Sequence, residues 1–480
     1  MASNGPFAQF KSRLCQYSIA CTVNLAALSI SISHIWPIFA IHDLDSGSYG
    51  YKLKHTEISW LLFAYSVVSA IGTVLAALII NQIGRKNLIL MTATPLTVSW
   101  ILLATGNNKI YVFIATAIAA VMSGALFTAV PVYLAEIAEA KIRGFLVGTF
   151  AATQSYGTIL VTLLLPYATT DSSMLAYISS TFTVIMAVLL VFLPESPYQF
   201  MLHGNHALAV NNLSKLRRKR DVTEEMDRIR QGMEQDGRQR SIIYLFKNRT
   251  YLKCLLISLL VVLTQVLSGS MEAFSYSVMA FQDASSWSNY SRIVILVFTV
   301  ILYLTPLFTL FLSDRVGRRP LLLLAVGTIA ISQLPNGIIL LIKDYFVDEH
   351  SAILEYLQLV PLYTCSIAYY GVVNMIRMIL TAEIFPSNII GAALCMINSF
   401  SIIAFVLFSF LKSFLVYWLG MYVVFFIGSL SSFVGFCLLF KFLPETKLKT
   451  MEKIQEELRC CRRNVGYVIR GKVEEVESNF

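Results

Sequence analysis

The chain has 480 residues, of which 56% are hydrophobic and 14% charged, and a mean hydropathy of +0.68. A soluble protein carries roughly a quarter charged residues, so a water-soluble globular domain is excluded and the bilayer is the solvent to reason in. A net charge of +9 would point to nucleic acid in a soluble chain. Here topology accounts for it, and no nucleic-acid partner is expected.

The first apolar run, near 17–40, is too long for a signal-peptide core and no small-residue cleavage site follows it, so it reads as a spanning helix. Five more runs lie near 59–80, 88–106, 110–134, 145–167 and 174–193. A polar stretch from Glu195 to Lys253 comes next, with the basic cluster Lys215, Arg217, Arg218, Lys219 and Arg220. Met226, Ile229 and Met233 recur there at helical spacing among charges, which predicts short amphipathic helices under the membrane domain. Six further runs follow near 255–281, 291–313, 321–342, 356–381, 391–415 and 419–442. Each is about long enough to cross the hydrocarbon, where the backbone must satisfy its own hydrogen bonds and therefore forms helices. The expectation is an all-α membrane protein with twelve transmembrane helices in two six-helix bundles. The N-terminal bundle takes 1–194, a helical linker 195–253, the C-terminal bundle 254–443 and a tail 444–480.

With both termini on one side, 30 of the 37 Lys and Arg fall on that side, which predicts cytosolic termini and a cytosolic linker. Of the eight cysteines, six lie in or beside apolar runs, where a thiol acts as a small hydrophobe, and no disulfide framework is expected. Cys460 and Cys461 adjoin in the basic tail, either as plain thiols or as palmitoylation sites. The sequon Asn289-Tyr290-Ser291 falls in an outside loop and makes Asn289 the glycosylation candidate.

The two halves echo each other. Asn81-Gln82-Ile83-Gly84-Arg85-Lys86 follows the second span, and Asp314-Arg315-Val316-Gly317-Arg318-Arg319 the eighth. Pro131-Val132-Tyr133 leads to Glu136 after the fourth, and Glu383-Ile384-Phe385-Pro386 follows the tenth. Pro194-Glu195-Ser196-Pro197 closes the sixth span and Pro444-Glu445-Thr446-Lys447 the twelfth. Repeats of this kind place a solute site at the midplane between the halves. The repeated carboxylates Glu136, Glu195, Asp314, Glu383 and Glu445 gather with Arg85, Arg143, Arg315, Arg318 and Arg319 at one face. Basic loops alone would serve as topological anchors. The carboxylates add a charge latch, closed when the pairs meet in a partly desolvated layer and open when they separate.

Together with Arg143-Gly144, these motifs make the chain resemble the sugar porter family of the major facilitator superfamily over nearly its whole length. Pro194-Glu195-Ser196-Pro197-Tyr198 and the Trp36-Pro37 step most resemble its insect facilitated trehalose transporter branch. The family carries Asp where this chain has Asn81, so the resemblance implies a weaker latch in the first half. It also implies sugar contacts at Gln265, Ser268 and Tyr276 in the seventh span, where Val266 and Met271 replace two polar family residues. Further replacements are Ala151 with Gln154 one turn away, Leu302, Asn374-Met375-Ile376-Arg377-Met378 in the tenth span, and Ser401-Ile402 in the eleventh. The substrate-binding candidates are then Gln265, Ser268, Tyr276, Gln154, Tyr370, Asn374, Asn398 and Ser401, each of which would serve equally as an interhelical hydrogen bond. Glu272 and Arg377 are charges inside apolar spans, expensive unless paired or wet. Either they face the cavity and each other, or Glu272 meets outer water and Arg377 snorkels.

Proton-coupled members of the family carry a carboxylate in the first span and an arginine in the fourth. Ser18 to Phe39 holds no Asp or Glu, and Thr116 stands at the fourth-span position. The resemblance therefore implies a uniporter for a hexose or a disaccharide such as trehalose, working by alternating access as a multi-pass plasma-membrane protein, with Glu272 leaving proton coupling as an alternative. The rivals are a facilitator of a different small solute and a non-transporting sensor on the same scaffold. Nothing resembles a phosphate-binding loop, a metal cluster or a catalytic triad, so neither an enzyme nor a cofactor is expected. The expected partners are a small-molecule sugar and the lipid bilayer, and a monomer suffices.

Overall fold

In a computed structural model, the structure describes residues 6–39, 53–106, 108–139, 142–164, 172–219, 221–235, 242–270, 273, 289–346, 352–385 and 389–447. Every regular element among them is helical. The first half comprises α1 (Pro6–Phe39), α2 (His55–Ile83), α3 (Arg85–Thr105), α4 (Lys109–Ile137), α5 (Arg143–Leu164) and α6 (Ser172–Val191). Four short helices follow, α7 (Pro197–Leu202), α8 (His206–Arg217), α9 (Thr223–Gln235) and α10 (Ile242–Lys247). The second half comprises α11 (Arg249–Leu267), α12 (Asn289–Val316), α13 (Arg318–Phe346), α14 (Ala352–Ala368), α15 (Asn374–Ile384), α16 (Ile390–Leu419) and α17 (Met421–Phe442). A π-helical turn, Tyr369–Val373, joins α14 to α15, so the two make one span and each half has six. Among the described residues, ten helices are long and apolar enough to cross a membrane.

The helices begin where local chemistry provides caps. Asn108 accepts the Ile110 N–H at 3.2 Å, Ser196 that of Tyr198 at 3.2 Å, and Asn248 that of Thr250 at 3.0 Å. Each satisfies one of the donors a helix start leaves open. Asn248 thus caps α11, which begins at Arg249, ahead of the apolar run expected from 255. Glu57 near the start of α2 accepts the Lys54 N–H and the Lys109 ammonium, each at 3.0 Å. These bonds, the backbone one foremost, hold its carboxyl below the usual range.

Within the first half α2 and α3 pack on α4, α1 packs on α5, and α3 and α1 on α6. Within the second, α13 packs on α17 and α14, and α11 on α16 and α17. The halves meet through α2 on α16 and through α5 on α12 and α15. Gly84 and Gly317 mark one end of the bundle, the latch end. At the other end Trp60, Tyr111, Tyr345, Tyr417 and Trp418 stand exposed, the amphipathic aromatics expected at a membrane–water boundary.

The linker is helical and amphipathic. Met201, Ala209, Leu213, Val222 and Met226 form a small core of their own, with Ile229 packed against it. Arg217 locks it to the bundle: its guanidinium pairs with Glu225 at 2.7 Å and donates to the Ile137 carbonyl at 2.8 Å, at the end of α4.

Candidate functional site

At the latch end two constellations repeat. In the first half Gly84, at φ +103°, lets the chain leave α2 and enter α3 through a single non-helical residue. That places Arg85 in the first turn of α3, buried, with its Nε 3.0 Å from Glu136 of α4. A second guanidinium nitrogen reaches Asn81 Oδ1 at 3.2 Å, and a third donates to Gln199 of α7. Glu136 also accepts the Ser196 hydroxyl at 2.5 Å. Glu195 takes the N–H groups of Lys86 at 3.1 Å and Asn87 at 3.4 Å, an anion on the positive end of α3.

In the second half Gly317, at φ +113°, makes the same step from α12 to α13. Arg318 is buried and reaches Asp314 and Glu383, each at 2.8 Å. Glu383 accepts the Thr446 hydroxyl at 2.7 Å. Glu445 takes the N–H groups of Arg318 at 3.1 Å and Arg319 at 3.2 Å. It sits one residue nearer the glycine than Glu195 does, because Pro320 has no N–H to offer. A Cβ on Gly84 would lie 2.6 Å from a Glu195 oxygen, and one on Gly317 2.7 Å from a Glu445 oxygen. Glycine is therefore required at each step for the backbone angle, and its bare α-carbon also lets the carboxylate sit where a Cβ would displace it.

The second constellation packs against α5 of the first half. A Cβ on Gly144 of α5 would collide with Glu383 Oε1 and lie 3.3 Å from an Arg318 nitrogen. Phe145 packs against Phe311 of α12 at 6.0 Å between centroids. Arg143, beside that glycine, is half-buried. Arg315 is exposed and joins through its carbonyl, which accepts from the Lys447 ammonium at 2.5 Å, while Arg319 reaches the Phe440 carbonyl at 2.6 Å. The halves thus meet at this end where α5 packs on the largely buried charge cluster of the second half and on α12.

Gln199 was not foreseen. It donates to the Asn81 carbonyl at 3.1 Å and accepts from Arg85, reinforcing the corner where the first half lacks the acid. The available signal was Ser196-Pro197, a helix cap followed by a first-turn proline, which sets Gln199 back toward the latch.

At mid-height the candidates part ways. Asn398 of α16 donates to the Phe127 carbonyl of α4 at 3.2 Å, and Ser155 of α5 to the Tyr370 carbonyl at 3.4 Å, so Asn398 and Tyr370 lie on the seam between halves. The π-turn falls at Tyr370, and such turns re-aim side chains at functional positions. Gln154 and Ser401 are half-buried on α5 and α16. Gln265 is buried on α11, with its Oε1 lacking a partner among the described residues. Ser268 is occupied, bonding to the Gln265 carbonyl and the Ser270 hydroxyl, each at 2.8 Å. Arg377 lies in a crevice with Ile257, Ser258 and Val261 of α11 and Leu443, and donates to Asn374 Oδ1 at 3.4 Å. Tyr276 and Glu272 lie outside the described residues, so the Glu272–Arg377 pair does too. Asn289 is the first residue of α12, with its side chain outside the described set.

Two six-helix halves joined by a helical linker, with a repeated charge cluster at one end and a polar seam between them, define a transporter of the major facilitator fold. The family of sugar (and other) transporters matches residues 30–458, and the chain belongs to it. Among its relatives is the facilitated trehalose transporter Tret1 of Culex quinquefasciatus, 28% identical over 459 residues, which are 93% of this chain and 86% of the relative. The protein of the same name from Polypedilum vanderplanki is 27% identical over 448 residues, 92% of this chain and 88% of the relative. Among solved structures, the proton:xylose symporter XylE bound to 6-bromo-6-deoxy-D-glucose superposes with a TM-score of 0.78 at 19% identity, covering 93% of this chain and all of that one.

Proposed function

We propose that the protein is a facilitative transporter, a uniporter, that carries trehalose or a hexose down its gradient by alternating access, with no covalent chemistry. The doubled latch carries the reading. Two matched Arg–Glu cores, one in each half, are each closed by a hydroxyl and a carboxylate on a helix start, and the second packs against Gly144 of the first half. Separating them costs several buried charge contacts, and closing restores them, which is what a two-state barrier needs. Kinship with two insect proteins named as facilitated trehalose transporters supports the sugar. The absence of Asp and Glu from Ser18 to Phe39, with Thr116 on α4, supports uniport over proton coupling.

In this reading Gln265, Gln154, Tyr370, Asn374, Asn398 and Ser401 line the solute path, and Ser268, Tyr276, Glu272 and Arg377 flank it. The units divide as 1–194, 195–253, 254–443 and 444–480. The latch end, linker and both termini face the cytosol across the plasma membrane, a glycan sits on Asn289 outside, and one chain suffices. The test is uptake of labelled trehalose, glucose and fructose into proteoliposomes, with and without a proton gradient. Saturable uptake indifferent to the gradient is expected, and gradient-driven accumulation would overturn uniport.

A second reading, a charged solute, is favoured by Arg377. It is 4% exposed and its Nε has no partner among the described residues, an unusual state for a cation in a span. Uptake of a carboxylate in place of sugar in the same vesicles would select it.

A further inference from the structure

Span seven is not a continuous helix. α11 ends at Leu267, and Gly269 adopts φ +64° before helical bonding resumes with the Ala273 N–H on the Gly269 carbonyl at 3.1 Å. A left-handed residue inside a span turns the preceding carbonyls off the helix axis, and in hydrocarbon they need other partners. Here they receive them from α13 and α17, two other helices of the second half. Ser431 of α17 donates to the Leu267 carbonyl at 2.8 Å. Gln333 of α13, fully buried, donates to the Ser268 carbonyl and lies 3.4 Å from Cys365 Sγ and 3.5 Å from Ser270 Oγ. The Cys365 thiol donates to Ser270 at 3.4 Å, Ser270 meets Ser268 Oγ at 2.8 Å, and Ser268 donates to the Gln265 carbonyl at 2.8 Å. A chain of bonds thus runs from Gln333 to the backbone of Gln265. α17 can approach so closely because Gly428 sits there, where a Cβ would collide with both the Gln333 side chain and the Ser268 carbonyl.

We infer that Gln333 and Ser431 form a clamp on the break in span seven and act as positioning residues that fix the height and orientation of Gln265 in the solute path. Their hydrogen bonds are made within the second half, and both act through the backbone of residues 265–270. The functional half of this inference rests on the transport reading above. The structural half rests on the break alone.

The experiment compares the full chain with Gln333→Met, Ser431→Ala and a control, Ser429→Ala. Ser429 also bonds α17 to α13, donating to the Ala330 carbonyl at 2.7 Å, but away from the break. Amide exchange by mass spectrometry in lipid nanodiscs should rise roughly tenfold or more over 264–273 in the two clamp variants, and stay unchanged there in the control. In proteoliposomes the clamp variants should raise the KM for trehalose roughly five- to tenfold, the effect of one lost buried hydrogen bond, with maximal rate nearly kept. Unchanged exchange over 264–273 in both variants overturns the clamp. Raised exchange with an unchanged KM overturns the positioning role. If the unaltered chain takes up no sugar, the sugar reading falls, and the exchange arm still decides the clamp. Ser431→Ala keeps the test decisive should Gln333→Met fail to fold.

Discussion

The latch end and the mid-membrane seam are built from the same twelve spans, yet only the latch is repeated side chain by side chain. Arg85 answers to Arg318, Glu136 to Glu383, Ser196 to Thr446, Glu195 to Glu445 and Gly84 to Gly317, with core ion pairs of 3.0 and 2.8 Å. At mid-height α11 carries a clamped break and α15 is entered through a π-turn, while α4 and α5 of the first half run as continuous helices. The difference follows from the tasks. On the transport reading proposed above, a latch that opens and closes two related halves asks the same thing of each, whereas a site for one asymmetric solute asks different things of its two walls. Even within the latch the copies are unequal. The Glu136 side chain is 1% exposed and Glu383 15%, so the first core is drier, while the second has the full set of acids.

The sharpest way to break the comparison is to remove one arginine at a time. Arg318→Ala leaves Glu383 facing Asp314 without a cation and should cost ~3–5 kcal/mol, the usual penalty for stripping one partner from a buried pair. Arg85→Ala should cost as much, although Asn81 is uncharged, because Glu136 is the more buried carboxylate. Thermal unfolding in detergent checks both, and a loss confined to Arg318→Ala would show that the copies are not equivalent.

Next come the glycines. Gly84, at φ +103° and ψ 160°, lies in a region only glycine occupies without strain. Gly84→Ala should lose ~1–3 kcal/mol from the backbone, and the same substitution at Gly317 a similar amount, with further loss as the carboxylate on the helix start is displaced. Uptake rates should fall in parallel, and a silent Gly84→Ala would break the symmetry.

Smaller effects belong to the seam. Asn398→Ala removes a hydrogen bond between halves and should cost about 1 kcal/mol, raising the solute KM without lowering stability as the latch variants do. An uptake series with melting curves on the same preparations separates the two. Smallest is Asn81→Asp, which restores the missing acid 3.2 Å from Arg85. It should stabilise the first half by less than ~1 kcal/mol, as expected of a partly exposed pair. A larger gain would mean that Gln199 is not already filling that place.

The charge clusters at the latch end were legible in the sequence because their chemistry is local. Glycine followed by arginine at a helix start, and carboxylates at the ends of spans, keep fixed spacings that repeat across the halves. Even there Gln199 escaped notice, since its partners Asn81 and Arg85 lie more than a hundred residues away. The seam was harder. Asn398 and Tyr370 do lie between the halves, while the Ser268 hydroxyl bonds the Gln265 carbonyl and the Ser270 hydroxyl. Gln333 carried a signal, two amides with Asn336 three apart in an apolar span, a costly pattern in lipid. What it bonds to was invisible.

By itself the sequence determined the spans, their pairing into halves and the charge clusters at one end, because hydrophobic length and short charge motifs act within a few residues of each other. The tertiary structure alone decided which polar side chains face the seam, which are used up holding helices together, and that Arg377 packs in a crevice beside α11. In a bilayer every polar group must find a partner. Which partner it finds depends on helix rotation and approach, set by contacts between residues far apart in the chain.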